Sequence, residues 1–182
     1  MISAGRNRTL GLVLAAAIYA LDQVLKWLVT GPLKLTQVGD QLHLLPIFDL
    51  TLTHNFGVSL GMFEATSPEM RWGLFAVTCG IAGIVFVWLL RERRLGDIVP
   101  LGLILGGALG NIHDRFLYGY VIDYADLHFG EFRPFLILNL ADVCISSGVL
   151  IILARALFMR EKPPAPQEGE PAELPVENST NA

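Results

Sequence analysis

Four long apolar blocks, at about 10–29, 72–90, 98–117 and 135–158, leave this chain few ways to fold. A helix needs about 20 apolar residues to cross the hydrocarbon core of a bilayer. Inside that core every backbone N–H and C=O must be satisfied within the protein, which favours helices. The expected fold class is therefore an all-α polytopic membrane protein: four transmembrane helices, with a small extracytoplasmic β-rich loop subdomain between the first and second spans. Composition agrees, because 53% hydrophobic against 16% charged residues is too apolar for an ordinary soluble domain. The first block is too long for a cleaved signal peptide, and Asp22 and Lys26 interrupt it, so it reads as a retained span.

Charge in the short connections sets the orientation. Arg6 and Arg8 precede the first span, Arg91, Arg93 and Arg94 separate the second and third, and Arg155, Arg160 and Lys162 close the fourth. Lys34, Arg71 and Arg133 are diluted over the longer loops 30–71 and 118–134. Both termini are expected in the cytoplasm and both long loops outside. Residues 1–160 then form one integral-membrane domain, and 161–182 an acidic, proline-rich, disordered cytoplasmic tail. That tail holds five Glu against one Lys, which accounts for the whole formal charge of −4. The remainder is neutral, with no basic patch to suggest nucleic acid.

The first outer loop carries Leu42-His-Leu-Leu-Pro-Ile-Phe-Asp-Leu-Thr-Leu-Thr, bounded by Gly39-Asp40 and Gly57, a pattern that predicts short strands at the membrane surface. Cys79 and Cys144 both fall in apolar blocks and read as buried thiols. His43, His54, His113 and His128 show no metal spacing. Gly102, Gly106 and Gly110 repeat every four residues, a small-residue stripe for close helix contact.

Polar residues within apolar blocks are expensive and mark function. At 1.5 Å per residue, the orientation places Asp22, Lys26, Asn111, Asp114, Arg115, Asn139 and Asp142 in one layer near the outer boundary, with Asp123 just beyond it. Asn111 and Asp114 share a helix face at i,i+3, as do Asn139 and Asp142, and Asp22 and Lys26 do so at i,i+4. Asp22–Lys26 reads as an internal ion pair, and Asp114, next to Arg115, as a local or interhelical salt bridge. Asp123 and Asp142 remain without a cationic neighbour in sequence. If they approach, one stays protonated near neutral pH while the other ionises, the arrangement for general acid–base chemistry. Asn111 and Asn139 would orient such a pair. A small proton-coupled membrane transporter component, relaying protons through the same carboxylates, is the alternative, and a non-catalytic assembly factor using the ion pairs to hold helices is another.

Asp22-Gln-Val-Leu-Lys26, Asn55-Phe-Gly57, Gly106-Gly-Ala-Leu-Gly-Asn-Ile-His-Asp-Arg115, Gly119-Tyr-Val-Ile-Asp-Tyr124 and Asn139-Leu-Ala-Asp142 resemble, in order, the signature blocks of lipoprotein signal peptidase (signal peptidase II). Tyr124, where that block often ends in Phe, and the polar His113 are minor departures. The resemblance implies a bacterial inner-membrane aspartic endopeptidase that removes the signal peptide before a diacylglyceryl-modified cysteine. It places the dyad on Asp123 and Asp142. Asp22, Lys26, Asn55, Gly57, Asn111, Asp114, Arg115, Asn139 and Ala141 fall where residues support the dyad or contact substrate. It implies no metal or cofactor, prolipoprotein and lipid partners, a monomer, and a site near the periplasmic face.

Overall fold

The computed structural model describes residues 2–57 and 67–158, so the C-terminal tail lies outside the described residues. Its elements run α1 (Ile2–Thr30), β1 (Gln41–Leu45), β2 (Phe48–Asn55), α2 (Pro68–Arg91), α3 (Leu95–Tyr118), β3 (Val121–Leu127) and α4 (Leu140–Phe158). All four helices are long and apolar enough to cross a membrane. Their boundaries follow local chemistry. Ser67 caps α2 by accepting from the Met70 N–H, with Pro68 at the first helical position, where a missing N–H matters least. Gly119, at φ +78°, ends α3 in the left-handed conformation and returns its N–H to the Arg115 carbonyl.

The third helix is the centre of the bundle. Half of its apolar stretch is buried inside the protein, against 11% for α2, which lies at the periphery. The glycine stripe explains the close packing. A Cβ on Gly106 would sit 2.6 Å from the Ala15 carbonyl of α1, and one on Gly107 2.5 Å from the Ala141 carbonyl of α4. Helices in lipid gain stability from such close contact, since apolar side chains alone are as well solvated by lipid tails. The same helix therefore holds α1 and α4 on adjacent faces. Cys79 and Cys144 are free thiols, and His113 meets the Tyr19 hydroxyl at 2.7 Å between α3 and α1.

The strands β1 and β2 form a hairpin within the glycine-bounded run that predicts short strands. The sheet is larger than the first loop alone provides, because β3 from the second long loop pairs antiparallel with β2 in the order β1-β2-β3. The β2–β3 register pairs Leu50 with Ala125 and Thr53 with Asp123, so two residues of β2 face one of β3, a bulge that bends the strand and re-aims its side chains. Leu50, Leu52, Ile122 and Tyr124 pack with Val29 and Leu35 into a second core that seats the sheet on the end of α1.

The fourth helix starts five residues later than the apolar block predicts. Residues 135–139 are not helical, and Leu138 makes an isolated bridge with Ala125 of β3. Asn139 then opens α4. Its side-chain oxygen accepts from the Asp142 N–H at 2.9 Å, and Asp142 accepts the Asn139 N–H at 3.4 Å. This reciprocal capping box fixes where the helix begins.

A candidate active site at the sheet end of the bundle

Every polar residue that the sequence places in one layer arrives in one network, built from the ends of α1, α3 and α4 together with β2 and β3. Asp22, Lys26, Asn111, Asp114, Asp123 and Asn139 are all buried. The base of the network is an ion triplet. Lys26 Nζ lies 2.7 Å from Asp22 Oδ2 and 2.7 Å from Asp114 Oδ2, and reaches Asn111 Oδ1 at 3.4 Å. The remaining lone pairs of the two carboxylates are taken up as buried charge requires. Asp22 Oδ1 accepts the Ala141 N–H at 3.1 Å, tying α1 to α4, and Asp114 Oδ2 accepts the Ile122 N–H at 3.1 Å, tying α3 to β3.

The partner of Asp114 is therefore Lys26 and not the adjacent Arg115. Consecutive residues on a helix point in different directions. Arg115 instead donates to the Gly57 carbonyl at 2.8 Å and to the Asn111 carbonyl at 3.5 Å. Gly57 in turn donates its N–H to Asn55 Oδ1 at 3.0 Å, a turn that presents the Asn55 amide to the site. Gln23, which sequence reasoning missed, bridges the triplet by donating to Asp114 Oδ1 at 3.1 Å and Asp22 Oδ2 at 3.2 Å. Its signal was its place beside Asp22 on a span.

Above the triplet, two carboxylates are held by amides. Asp123 Oδ1 accepts from Asn139 Nδ2 at 2.6 Å and Asp123 Oδ2 from Asn55 Nδ2 at 3.0 Å. Asp142 Oδ1 accepts from Asn111 Nδ2 at 2.9 Å. Asn139 also reaches Asn111 Oδ1 at 3.2 Å, so one continuous chain of amides links the two acids to the Lys26 triplet. Burial first, and then the neighbouring Asp142 charge, push the Asp123 carboxyl up to about 7. A carboxyl that titrates near neutrality within the field of a second carboxylate can exchange a proton with a bound reactant. Among the described residues no group of three His, Cys, Asp or Glu is arranged to hold a metal ion.

A groove of about 220 Å³ runs down from this layer between α2, α3 and α4, with Leu74, Ile81 and Ile145 on its walls and Asn111 and Arg115 at its polar end. Val77 and Ile81 of α2, both exposed, stand at its edge.

Comparison with known proteins converges on the same reading. A family model described as signal peptidase (SPase) II matches residues 14–158. A lipoprotein signal peptidase of Sphingopyxis alaskensis is 53% identical over 152 residues, covering 84% of this chain and 87% of that protein. One from Rhizorhabdus wittichii is 46% identical over 162 residues, covering 89% and 93%. A bacterial membrane enzyme solved by the in meso method at 1.9 Å superposes with a TM-score of 0.70 at 26% identity, covering 84% of this chain and 95% of that one. Another solved in the same way at 2.3 Å gives 0.72 at 24% identity, over 85% and 93%, and shares the fold.

Proposed function

Since the chain belongs to the signal peptidase II family, and is thus a multi-pass bacterial membrane peptidase, we propose that it cleaves prolipoproteins just before their diacylglyceryl-modified cysteine, with Asp123 and Asp142 as the catalytic pair. Family membership replaces the transporter and assembly-factor alternatives. The observation that carries the dyad is the Asn139 side chain, which donates to Asp123 and at the same time caps the helix turn bearing Asp142. One side chain thus ties the position of Asp123 to the start of the helix that carries Asp142.

In this mechanism the signal segment enters sideways from lipid into the α2–α3–α4 groove, and the scissile bond extends across the acid layer at the outer face, with both termini in the cytoplasm. Asp142, as the carboxylate, takes a proton from water. Asp123, as the acid, donates a hydrogen bond to the scissile carbonyl oxygen. Water oxygen bonds to the carbonyl carbon, and the tetrahedral intermediate collapses as the C–N bond breaks and a proton passes to the cysteine amine. Asn55, Asn111 and Asn139 hold the two acids in register. Asp22, Lys26, Asp114, Ala141 and the Arg115–Gly57 link hold the frame. The mechanism calls on a monomer and no cofactor.

The test is a purified protein in detergent with a synthetic dipalmitoylglyceryl-cysteine precursor, followed by product mass. Cleavage is expected, and Asp123→Asn or Asp142→Asn each abolishes it without loss of the folded state. Cleavage that survives either change removes the dyad assignment. Loss of activity in a fully stable Asp114→Asn would move the assignment to Asp114.

A further inference from the structure

A second apolar groove, of about 430 Å³, lies on the other side of the acid layer. Leu25 of α1 with Leu140 and Val143 of α4 form one wall, and the sheet and the β3–α4 connection, including Ala125 and Leu136, form the larger part. The Asn139 that donates to Asp123 forms part of its wall. Leu136 and Val143 stand about half exposed at its rim, so it opens where the bilayer would meet the sheet.

Its position relative to Asp142 follows from helix geometry. Successive residues turn by about 100° around an α-helix. Taking Asp142 as the origin, Val143 points about 100° to one side and Ile145 about 60° to the other. Val143 lines this groove, and Ile145 lines the α2–α3–α4 groove. The two grooves therefore leave Asp142 in opposite directions around the first turns of α4.

Their chemistry differs as well. The α2–α3–α4 groove ends on Asn111 and Arg115, groups that can meet a peptide backbone. Apart from Asn139, committed to Asp123, and Tyr124, whose hydroxyl engages the Leu140 backbone, the second groove is lined by hydrocarbon alone. It offers nothing to an extended peptide and suits a chain that needs no hydrogen bond. On the proposed function, the substrate carries two apolar attachments that diverge from the scissile bond: the signal segment before it, and the acyl chains on the cysteine after it. We infer that the groove between α1, β3 and the start of α4 takes an acyl chain of the diacylglyceryl group while the signal segment occupies the α2–α3–α4 groove. The substrate thus straddles the Asn139–Asp142 turn, and the two attachments draw the scissile bond across the dyad. This rests on the peptidase reading above.

The probe is a precursor peptide with a diazirine at the end of one palmitoyl chain, photolysed on the full-length Asp142→Asn protein in lipid nanodiscs and mapped by mass spectrometry. Labels are expected on peptides carrying Leu25, Leu136 and Val143, and unlabelled precursor should compete them away. Labels on Leu74 and Ile81 instead, or labels that bulk diazirine-phospholipid reproduces and precursor does not displace, overturn the inference. The kinetic counterpart is Val143→Trp, which should shift kcat/KM selectivity toward a dihexanoyl over a dipalmitoyl precursor by about tenfold, the worth of about two buried methylenes. Ile81→Trp should leave that ratio unchanged. Equal ratios in both variants also overturn it. If the parent protein cleaves neither precursor, the peptidase reading falls; if it cleaves and the labels lie elsewhere, only the acyl groove falls.

Discussion

Replacing Lys26 by methionine isolates the ion triplet beneath the acid pair. Nζ is 2.7 Å from each of two carboxylate oxygens, and all three side chains are buried. The variant leaves Asp22 and Asp114 as facing buried carboxylates without a counter-charge. Breaking a buried pair by removing one partner costs about 3–5 kcal/mol. One cation serves two acids here, so the upper end of that range applies. For a chain of this size each kcal/mol moves Tm by about 2–4 °C, which predicts a fall of roughly 10–20 °C in detergent. The triple variant Lys26→Met/Asp22→Asn/Asp114→Asn removes the charges together. It should recover most of the loss, because a neutral replacement of a buried ion cluster is often close to isoenergetic. Thermal unfolding of the three proteins, followed by tryptophan fluorescence at matched detergent, decides the matter. A Lys26→Met protein that unfolds within about 2 °C of the parent, or a triple variant no more stable than the single one, refutes the reasoning.

Three further outcomes follow from the same geometry. Activity should fall as pH rises through about 7, where Asp123 loses its proton, and Asn55→Ala should move that limb upward by about one pH unit, since it deletes a hydrogen bond that favours the carboxylate; a limb that stays put or moves down counts against Asp123 as the acid. The same carboxyl works against stability at high pH. Its folded value lies above the unfolded 3.8, so the unfolded chain releases the proton first and stability declines between about 4 and about 7. Asp123→Asn should accordingly unfold at a higher temperature than the parent at pH 8 and gain less at pH 4, and an equal effect at both would exclude this linkage. Gly107→Ala, which drives a methyl into the Ala141 carbonyl, should destabilise by about 1–3 kcal/mol and depress turnover by shifting the start of α4, whereas Gly83→Ala, with open space around it, should leave both unchanged.

The spans were legible because hydrocarbon imposes one solution on a long apolar run, and the first two strands because a β-branched, apolar run and its flanking glycines are local. The start of α4 was less so. Phe135-Leu-Ile-Leu138 is as apolar as the helix that follows, and hydropathy does not separate a non-helical segment at the membrane boundary from a span. The capping box in Asn139-Leu-Ala-Asp142 holds that information, but its i,i+3 spacing serves a shared polar face of a longer helix equally well. The third strand was hidden because its pairing is with residues some 70 positions earlier, and such register leaves no local trace. Membrane depth is a one-dimensional coordinate that sequence gives directly, so the polar residues of α1, α3 and α4 fall into one layer before any contact is known. The Asp22–Lys26 ion pair forms as its i,i+4 spacing implies, and Asp114, for which a local and an interhelical salt bridge are both open in sequence, takes the interhelical one with Lys26 of α1.

The division of the acid pair between β3 and α4 has a consequence for synthesis. Chains are made from the N-terminus, so a protein with three spans in place already holds Asp123, Asn111 and the Lys26 triplet but lacks the second carboxyl. It also lacks Asn139, the amide that bridges to it. On the proposed Asp123–Asp142 dyad, proteolytic competence arrives in one step with the last helix, and an incompletely inserted chain is inert toward the membrane around it.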